Sequence, residues 1–421
     1  MMRIFLLELR RSPLKWWLPF LITLDLAVLF GRSQWWIGVW PEASVAAQIP
    51  SFYLGPLLAA AAAWSAGRVQ RHGLQDQITA ASRSRWKAEL VQLAATVSYG
   101  IVAYIAGILS AALVSYRDAG PGFLWPGYLL LGTSVLVLCI ALGHAVGRWF
   151  PSVFASPVVC GLGCFVVLAA TAGPSGLGLF LLSGPPASTT SAGAVAVRLL
   201  IACLAVSLVV LVDRPVKAER KRIEGAWPER VTALGCAVAV VALGAVYGPM
   251  GPVQVRRSAP EASLCTASQP KICVWPEQRK YLPQLEAMAT RAAQLPRGLI
   301  ISPPVFYERG LKNSTVEESF TIREGSMWEV AISMSILIVN ASTPSCVAKT
   351  SDDQGKILTA DFELDSWVAA RITGSGQPSD VHGGPPGVDQ EAIGRLIMQS
   401  ETAQNNWAQE RIQSIKGIHC A

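Results

Sequence analysis

The sequence lacks the motifs by which most enzymes bind phosphate groups or metal ions. The P-loop pattern GxxxxGK[ST] is absent, which excludes ATP hydrolysis through a P-loop in this chain. No serine has a GxSxG context. The four histidines of the chain stand apart from any HExxH, HxH or CxxC pattern that would supply a metal site. We therefore expect no enzymatic activity, no bound cofactor and no metal ion.

Charged residues are also scarce, at 15% of the chain, and they are unevenly distributed. Residues 1–249 carry a net charge of +9, whereas residues 250–421 carry a net charge of −2. A nucleic-acid-binding domain would need a basic patch interleaved with aromatic residues on its folded part. The basic excess lies elsewhere, so we expect no nucleic-acid partner.

The first 249 residues instead contain a series of long apolar stretches. A helix needs about 20 apolar residues to cross the core of a bilayer, and most of the stretches reach that length. The first two are short, and the second could instead be a re-entrant or buried segment. The stretches cover residues 16–30, 52–66, 90–115, 124–146, 153–172, 194–212 and 231–247. We predict an α-helical polytopic membrane protein with about seven spans in contact with the lipid bilayer.

Lysine and arginine are concentrated at alternate ends of these stretches. Sixteen lie before the first stretch or in the loops that follow the second, fourth and sixth, and three lie at the opposite ends. Because positive charge in short loops resists translocation, we place the N-terminus inside and, with an odd number of spans, residues 250–421 outside. The 25 arginines against 10 lysines are typical of a GC-rich bacterial gene, which favours a bacterial plasma membrane.

The nine cysteines fall into two groups. Five lie inside apolar stretches, where a free thiol behaves as a small apolar side chain. The other four are Cys265, Cys273, Cys346 and Cys420. An even number in an oxidising compartment predicts two disulfides, with three possible connectivities. We favour the pairs 265–273 and 346–420, and four unpaired thiols are the alternative.

Two ionisable residues lie inside the apolar stretches, where a charge is costly. If the helices of Asp25 in the first stretch and Arg198 in the outer part of the sixth pack together, the two charges lie at comparable depth and could form one ion pair; alternatively, Asp25 lines a translocation path or a lateral gate. Gly143 and Gly147 form a GxxxG pair that would let a neighbouring helix approach closely. His144 between them is expected to form a hydrogen bond across helices rather than to bind a ligand.

The loop at residues 67–88 has the most specific pattern of the N-terminal part. It reads GRVQRHGLQDQITAASRSRWKA, in which Leu74 and Ile78 are at helical spacing. The pattern predicts a short amphipathic helix on the inner membrane face. The alternative is that its basic residues only enforce topology and contact anionic lipid headgroups.

A basic N-terminal helix, a second span and this loop running into a long third span resemble the permease subunits of type-2 ABC exporters. The residues that match are Arg71, Gly73, Leu74, Ile78, Ala81, Ser82, Arg83 and Arg85. In that family the loop contains the coupling helix that docks on a cytoplasmic ATPase. The resemblance covers about residues 1–212 and implies a separate cytoplasmic ATP-binding subunit, and a homodimer or a second permease as partner.

The predicted domain organisation follows from this resemblance. We expect a six-span permease-like domain at 1–212, a basic cytoplasmic loop at 213–230 and a seventh span at 231–249. A tether at 250–264 and an extracytoplasmic α+β domain at 265–421 would complete the chain. The seventh span and the last domain depart from the family. The alternative function is therefore a membrane-tethered binding, sensor or assembly protein without transport activity.

Within the last domain, patterning predicts a helix at 276–295, strands at 299–306 and 327–339, and a closing helix at 388–415. Asp361, Glu363 and Asp365 alternate. On a strand they would share one face and could bind a cation, whereas on a helix they would not.

Overall fold

The structure, a computed structural model, is described here for most of the chain. The described residues are 2–32, 34–71, 85–172, 178–211, 252–312, 319–343, 350–374 and 390–418. The chain divides into two compact units. The N-terminal unit comprises Met1–Arg117 and Gly122–Val255, and the C-terminal unit comprises Asp118–Pro121 and Arg256–Ala421. The predicted seventh span and the basic loop before it lie outside the described residues.

The N-terminal unit consists mainly of helices. They are α1 (Met2–Arg11), α2 (Leu14–Gly31), α3 (Trp40–Gln48), α4 (Ser51–Arg71), α5 (Arg85–Ser115), α6 (Pro126–Trp149), α7 (Ala155–Ala170) and α8 (Ala192–Leu211). A short strand β1 (Ser188–Thr190) pairs with β2 (Gln254–Arg256). Helix α1 buries no residue, so its apolar side chains lack a protein core to pack into.

Five segments among the described residues are long and apolar enough to cross a membrane. They are Leu14–Gly31, Trp40–Arg68, Trp86–Ser115, Pro126–Trp149 and Ala192–Leu211. The second begins well before the predicted stretch, because α3 continues into α4 through a short turn. The fifth predicted stretch forms α7, which has 16 residues and therefore spans only about 24 Å. A helical protein with several segments of membrane-spanning length and composition is confirmed, and the number of seven spans stays a prediction.

The closest helix packing in the N-terminal unit is between α4 and α6. Gly143 lies against Ala59 and Gly147 against Ala63; a Cβ atom added to these glycines would lie 2.1 and 2.0 Å from the respective carbonyl oxygens. Both helices advance by four residues between the two contacts, so they run parallel. The close approach predicted from the GxxxG pair is confirmed.

The C-terminal unit combines a small sheet with helices. Its elements are β3 (Leu264–Cys265), β4 (Lys271–Val274), α9 (Leu282–Ala292), β5 (Val305–Glu308), β6 (Ser319–Phe320), α10 (Met327–Ser342), α11 (Ser351–Thr373), α12 (Gln390–Ile397) and α13 (Glu401–Lys416). The strand order is β3-β4-β5-β6. The first pair is antiparallel and the other two pairs are parallel. Helix α9 makes the crossover that the parallel strands β4 and β5 require.

The prediction of a strand at 327–339 is wrong, because this segment is α10. The Ser326 side chain accepts a hydrogen bond from the Glu329 backbone at 3.2 Å, which is the start of a helix in the Ser-x-x-Glu pattern. Buried positions such as Val330, Met334 and Ile338 recur every four residues, as on a helix face. The cap is therefore a stronger signal of secondary structure than the apolar pattern that favours a strand.

The other predictions for this unit hold in part. The helix at 276–295 is confirmed as a 3-10 turn, Pro276–Tyr281, followed by α9. The strand at 299–306 is displaced to Val305–Glu308. The closing helix is two helices, because Ser400 caps a new one by accepting from the Ala403 backbone at 3.4 Å. The core contains the fully buried side chains of Trp275 and Trp367.

Candidate functional site

Most of the predicted docking residues lie outside the described part of the chain. This applies to Gly73, Leu74, Ile78, Ala81, Ser82 and Arg83, and also to the side chain of Arg85, whose backbone begins α5. Arg71 is the exception. Its guanidinium donates to the Trp64 carbonyl at 2.7 Å and to the Ser152 carbonyl at 3.3 Å. Arg71 therefore fixes the end of α4 to the segment before α7.

An ion pair also holds this end of α4. Arg68 pairs with Glu8 of α1, with Nη2 and Oε1 2.7 Å apart. Both side chains are about a quarter exposed, so the pair is sheltered compared with an ordinary surface pair, which contributes at most about 1 kcal/mol. The contact ties the surface helix α1 to the helix that leads into the loop.

The start of α5, on the other side of the loop, is held by a buried triad. The Glu89 carboxylate accepts a hydrogen bond from Nε2 of His144 at 2.8 Å and lies 3.5 Å from Nε of Arg148. His144 and Arg148 are one turn apart on α6 and only 1% and 3% exposed. Arg148 also donates to the Val209 carbonyl at the end of α8. The triad thus connects α5, α6 and α8, and the expected hydrogen bond of His144 across helices is confirmed.

Two further hydrogen bonds join the flanks of the loop to each other and to α1. The Gln92 amide donates to the Ser65 carbonyl at 2.7 Å, which links α5 with α4. The Tyr99 hydroxyl donates to the Leu9 carbonyl at 2.6 Å. We call Glu8, Arg68, Arg71, Glu89, His144 and Arg148 the flanking network. It places polar contacts from α1, α4, α5, α6 and α8 at the two ends of the loop that carries the docking candidates.

The centre of the N-terminal unit contains a different polar cluster. Asp25 is fully buried and lies against Gly107, where an added Cβ atom would be 1.7 Å from its Oδ2. One turn earlier on α5, the Tyr104 hydroxyl donates to the Leu129 carbonyl at 3.2 Å. Gly132 of α6 provides the space for this hydroxyl.

Gln48 completes this central polar cluster. An added Cβ atom at Gly132 would lie 3.3 Å from Cγ of Gln48 and 2.2 Å from the Tyr104 hydroxyl, so the two side chains share one position on α6. Among the described residues, neither Asp25 nor the amide of Gln48 has a hydrogen-bond partner. Buried polar groups normally have partners, so these unpartnered groups are unusual. They make the cluster a polar region inside a largely apolar helix bundle.

The expected pairing of Asp25 with Arg198 is not formed in the structure. Arg198 is 4% exposed and donates to the carbonyls of Gly178 and Ala194, at 3.1 and 2.6 Å. The arginine therefore donates to one carbonyl in the first turn of α8 and to one in the segment before it, while Asp25 faces α5. The two charges were predicted to lie at comparable depth, but their helices present them to different neighbours.

In the C-terminal unit, Cys265 and Cys273 form a disulfide with an S–S distance of 2.02 Å. They face each other in the antiparallel pair of β3 and β4, as the favoured local pairing requires. Cys346 and Cys420 lie outside the described residues, so their pairing stays a prediction.

Two acidic residues of the C-terminal unit, Asp361 and Asp365, are partly buried on α11. Asp361 and Asp365 lie one turn apart on α11. Glu363 lies off their face and pairs with Arg411 at 2.6 Å, so the three residues do not share one face, as expected for a helix. Burial, with the charge of Asp361 beside it, raises the pKa of Asp365 to about 8. Within the described ranges no group of three or more His, Cys, Asp or Glu side chains could hold a metal ion.

Glu308 is the other perturbed carboxyl of this unit. It ends β5, is 2% exposed and accepts from the Trp275 backbone at 3.0 Å. Burial raises the pKa of Glu308 to about 8, against the opposing effect of hydrogen bonds from Trp275 and Gln278. Its neighbour Glu277 is paired with Arg257 at 2.7 Å. These contacts connect the ends of the strands to the tether and describe a structural cluster.

The sequence patterns single out Arg71 and His144 of the flanking network, but they do not single out its other members, Glu8, Arg68, Glu89 and Arg148. Glu89 could have been noticed as an acidic residue directly before the third apolar stretch. Gly107 and Gly132 gave no signal, because glycine is frequent throughout these stretches.

Comparison with known proteins identifies no relative: no family model, no curated protein and no solved structure matches the chain. The fold itself defines the class. The described residues form a helical protein with five helices of membrane-spanning length and composition, together with a compact C-terminal unit that contains a small sheet.

Proposed function

We propose that the chain is a permease-like membrane subunit of an ABC-type export system and that a separate cytoplasmic ATPase supplies the energy. The observation that carries the proposal is the flanking network. The loop with the docking candidates lies between two helix ends, and ionic or hydrogen-bonded contacts hold each end to neighbouring helices. A loop that receives force from a partner must have firmly held ends if the force is to move helices.

The network also indicates which helices would move together. A displacement of the loop would act on α4 through Arg71 and Arg68, and on α5 through Glu89. The Glu89 triad would pass it to α6 and α8, since Arg148 contacts both Glu89 and the Val209 carbonyl. Contiguous networks of this kind can couple distant sites when they have two arrangements. The central polar cluster around Asp25 lies among these helices and would line the path of the exported compound.

The membrane orientation is part of the proposal. The distribution of basic residues supports an orientation with α1 and the loop in the cytoplasm of a bacterium and the C-terminal unit outside its plasma membrane. The Cys265–Cys273 disulfide fits this orientation, because disulfides persist in oxidising compartments.

A photocrosslinking residue at Ile78 tests the docking directly. In membranes of the native host, we expect a crosslink to a nucleotide-binding protein, whereas the same residue at Phe123, which is 58% exposed at the opposite end of the helices, should give none. Crosslinks from Ile78 to lipid alone would favour a purely topological role for the loop and contradict the proposal.

Replacing Glu89 with Gln distinguishes docking of the ATPase on the loop from transmission of the loop's movement to the helices. The variant should still crosslink through Ile78, but ATP hydrolysis by the associated partner should lose its coupling to the permease-like unit. Loss of the crosslink itself in Glu89→Gln would mean that the triad only shapes the loop.

A further inference from the structure

The N-terminal unit has an apolar groove on its outer surface, which we call the lateral groove. It lies between α2 and α4 and encloses a volume of about 370 Å³, within the range typical of small-molecule sites. Its walls include Trp17 and Phe20 from α2, and Leu57, Ala60, Ala61 and Trp64 from α4. The lining is almost entirely apolar.

Side-chain size explains why a groove exists at this position. Ala60 and Ala61 are small and half-buried, whereas Trp17, Phe20 and Leu57 beside them are 58%, 49% and 42% exposed. The large side chains therefore stand as walls around a floor of alanines. Along α4 the lining extends from Leu57 to Ser65, a length of about 12 Å at 1.5 Å per residue.

The groove is bounded at one end by the corner between α1 and α2. Ser12, Pro13 and Leu14 form this corner and belong to the lining. The residues next to the corner are Arg10, Arg11 and Lys15, all exposed. None of the three has an ion-pair partner among the described residues, since Glu8 is occupied by Arg68. These three basic residues form a positive rim at one end of the lateral groove.

We propose that the lateral groove binds one anionic phospholipid, with an acyl chain between α2 and α4 and the phosphate group at the positive rim. Charge complementarity decides the occupant. Each basic residue near a membrane surface attracts anionic lipid, and the apolar floor accepts hydrocarbon. A second copy of the chain fits less well, because a two-fold contact would bring the same patch of each copy together and place unpaired cations opposite one another.

The experiment uses the full chain, purified in detergent and titrated with phosphatidylglycerol or phosphatidylcholine of identical acyl chains. Native mass spectrometry measures the affinity of the first bound lipid. We expect phosphatidylglycerol to bind at least about tenfold more tightly, as three basic residues at a membrane surface imply. Equal affinities for the two lipids would overturn the proposal.

Two sets of variants locate the site. Replacing Arg10, Arg11 and Lys15 with Gln should abolish the preference for phosphatidylglycerol, while Arg117→Gln, an exposed arginine at the opposite end, should leave it unchanged. Ala61→Trp should fill the lateral groove and weaken the binding of both lipids.

Val102→Trp is the control for bulk in the filled-groove variant, because Val102 is 49% exposed on α5 and outside the lining; it should weaken neither lipid. A preference that survives the triple replacement would contradict the lipid assignment. An Ala61→Trp variant that alters only the oligomeric state would identify a second copy as the occupant.

A lipid with a photoreactive group in its acyl chain provides an independent readout. Crosslinked peptides should come from α2 and α4, and crosslinks confined to other helices would overturn the proposal even if the anionic preference were present.

Discussion

The contact between α4 and α6 gives the sharpest prediction about stability. Replacing Gly143 or Gly147 with alanine should destabilise the N-terminal unit, because each new methyl group would lie about 2 Å from a carbonyl oxygen of α4. Ordinary van der Waals contact begins near 3.4 Å, so the two helices must separate by roughly 1 Å and lose dispersion contacts on both sides.

The size of the effect follows from two opposing terms. Overpacking a close contact costs about 1–3 kcal/mol, whereas the better helix propensity of alanine returns about 1 kcal/mol. We therefore expect a net loss of up to about 2 kcal/mol for each variant. The double variant should lose more than either single one.

Two other glycines serve as graded controls. Gly163 on α7 has no atom within 4 Å of an added Cβ, and Gly161 would meet Pro56 O at 3.3 Å. Gly163→Ala should be neutral or stabilising, and Gly161→Ala should fall between it and Gly143→Ala. The apparent thermal midpoint of the detergent-purified chain, followed by size-exclusion chromatography after heating, ranks the four variants. Equal midpoints for Gly143→Ala and Gly163→Ala would refute the packing argument.

Three further perturbations address other parts of the chain. Gly107→Ala should destabilise the N-terminal unit by about 1–3 kcal/mol through the clash with Asp25, and adding Asp25→Ala should restore part of the thermal midpoint; no restoration would show that the clash lies elsewhere. For Asp365, the folded pKa of about 8 lies above the ordinary 3.8, so the folded state binds the extra proton. The stability contributed by that proton is present at low pH and is lost as pH rises towards 8. The thermal midpoint should therefore decrease as the pH rises from 5 to 8. Asp365→Asn should make this pH dependence flatter, and an unchanged pH dependence would reject the assignment. Ser326→Ala should cost about 1 kcal/mol by removing the α10 cap, and an equal midpoint would show that the cap contributes little.

The periodicity and length of the apolar stretches were sufficient to predict most helices of the N-terminal unit. Long apolar runs must form helices to satisfy their backbone groups in a bilayer, so α2, α5, α6 and α8 followed from composition. The GxxxG pair also identified the face of α6 that contacts α4. Burial in the bilayer leaves few alternatives for such segments, which is why simple patterns predict them well.

The polar contacts could not be predicted in the same way, because they depend on which helices are neighbours. Asp25 and Arg198 were paired by depth alone, and depth does not decide which face of a helix points to which partner. Arg198 instead donates hydrogen bonds to backbone carbonyls. Glu89 and His144 are 55 residues apart in sequence, and only the packing of α5 on α6 brings them together.

Short elements in the C-terminal unit were the least predictable. An apolar run such as 327–339 fits a buried strand and a buried helix equally well by periodicity. The Ser326 cap, rather than the run itself, indicates the helix. Asp361, Glu363 and Asp365 show the same dependence, since a strand would bring all three to one face, whereas the helix α11 separates Glu363 from the other two.

The association of this chain with an ATPase tests the proposed function most directly. The tagged chain, purified from membranes of its native host, should carry ATP hydrolysis activity through a separate subunit. Charge reversal at Arg83 and Arg85 to Glu should remove that activity, and the same reversal at Arg117 should leave it intact. A chain that is purified intact with no associated ATP hydrolysis, or one that keeps its full activity after reversal at both arginines, would contradict the account.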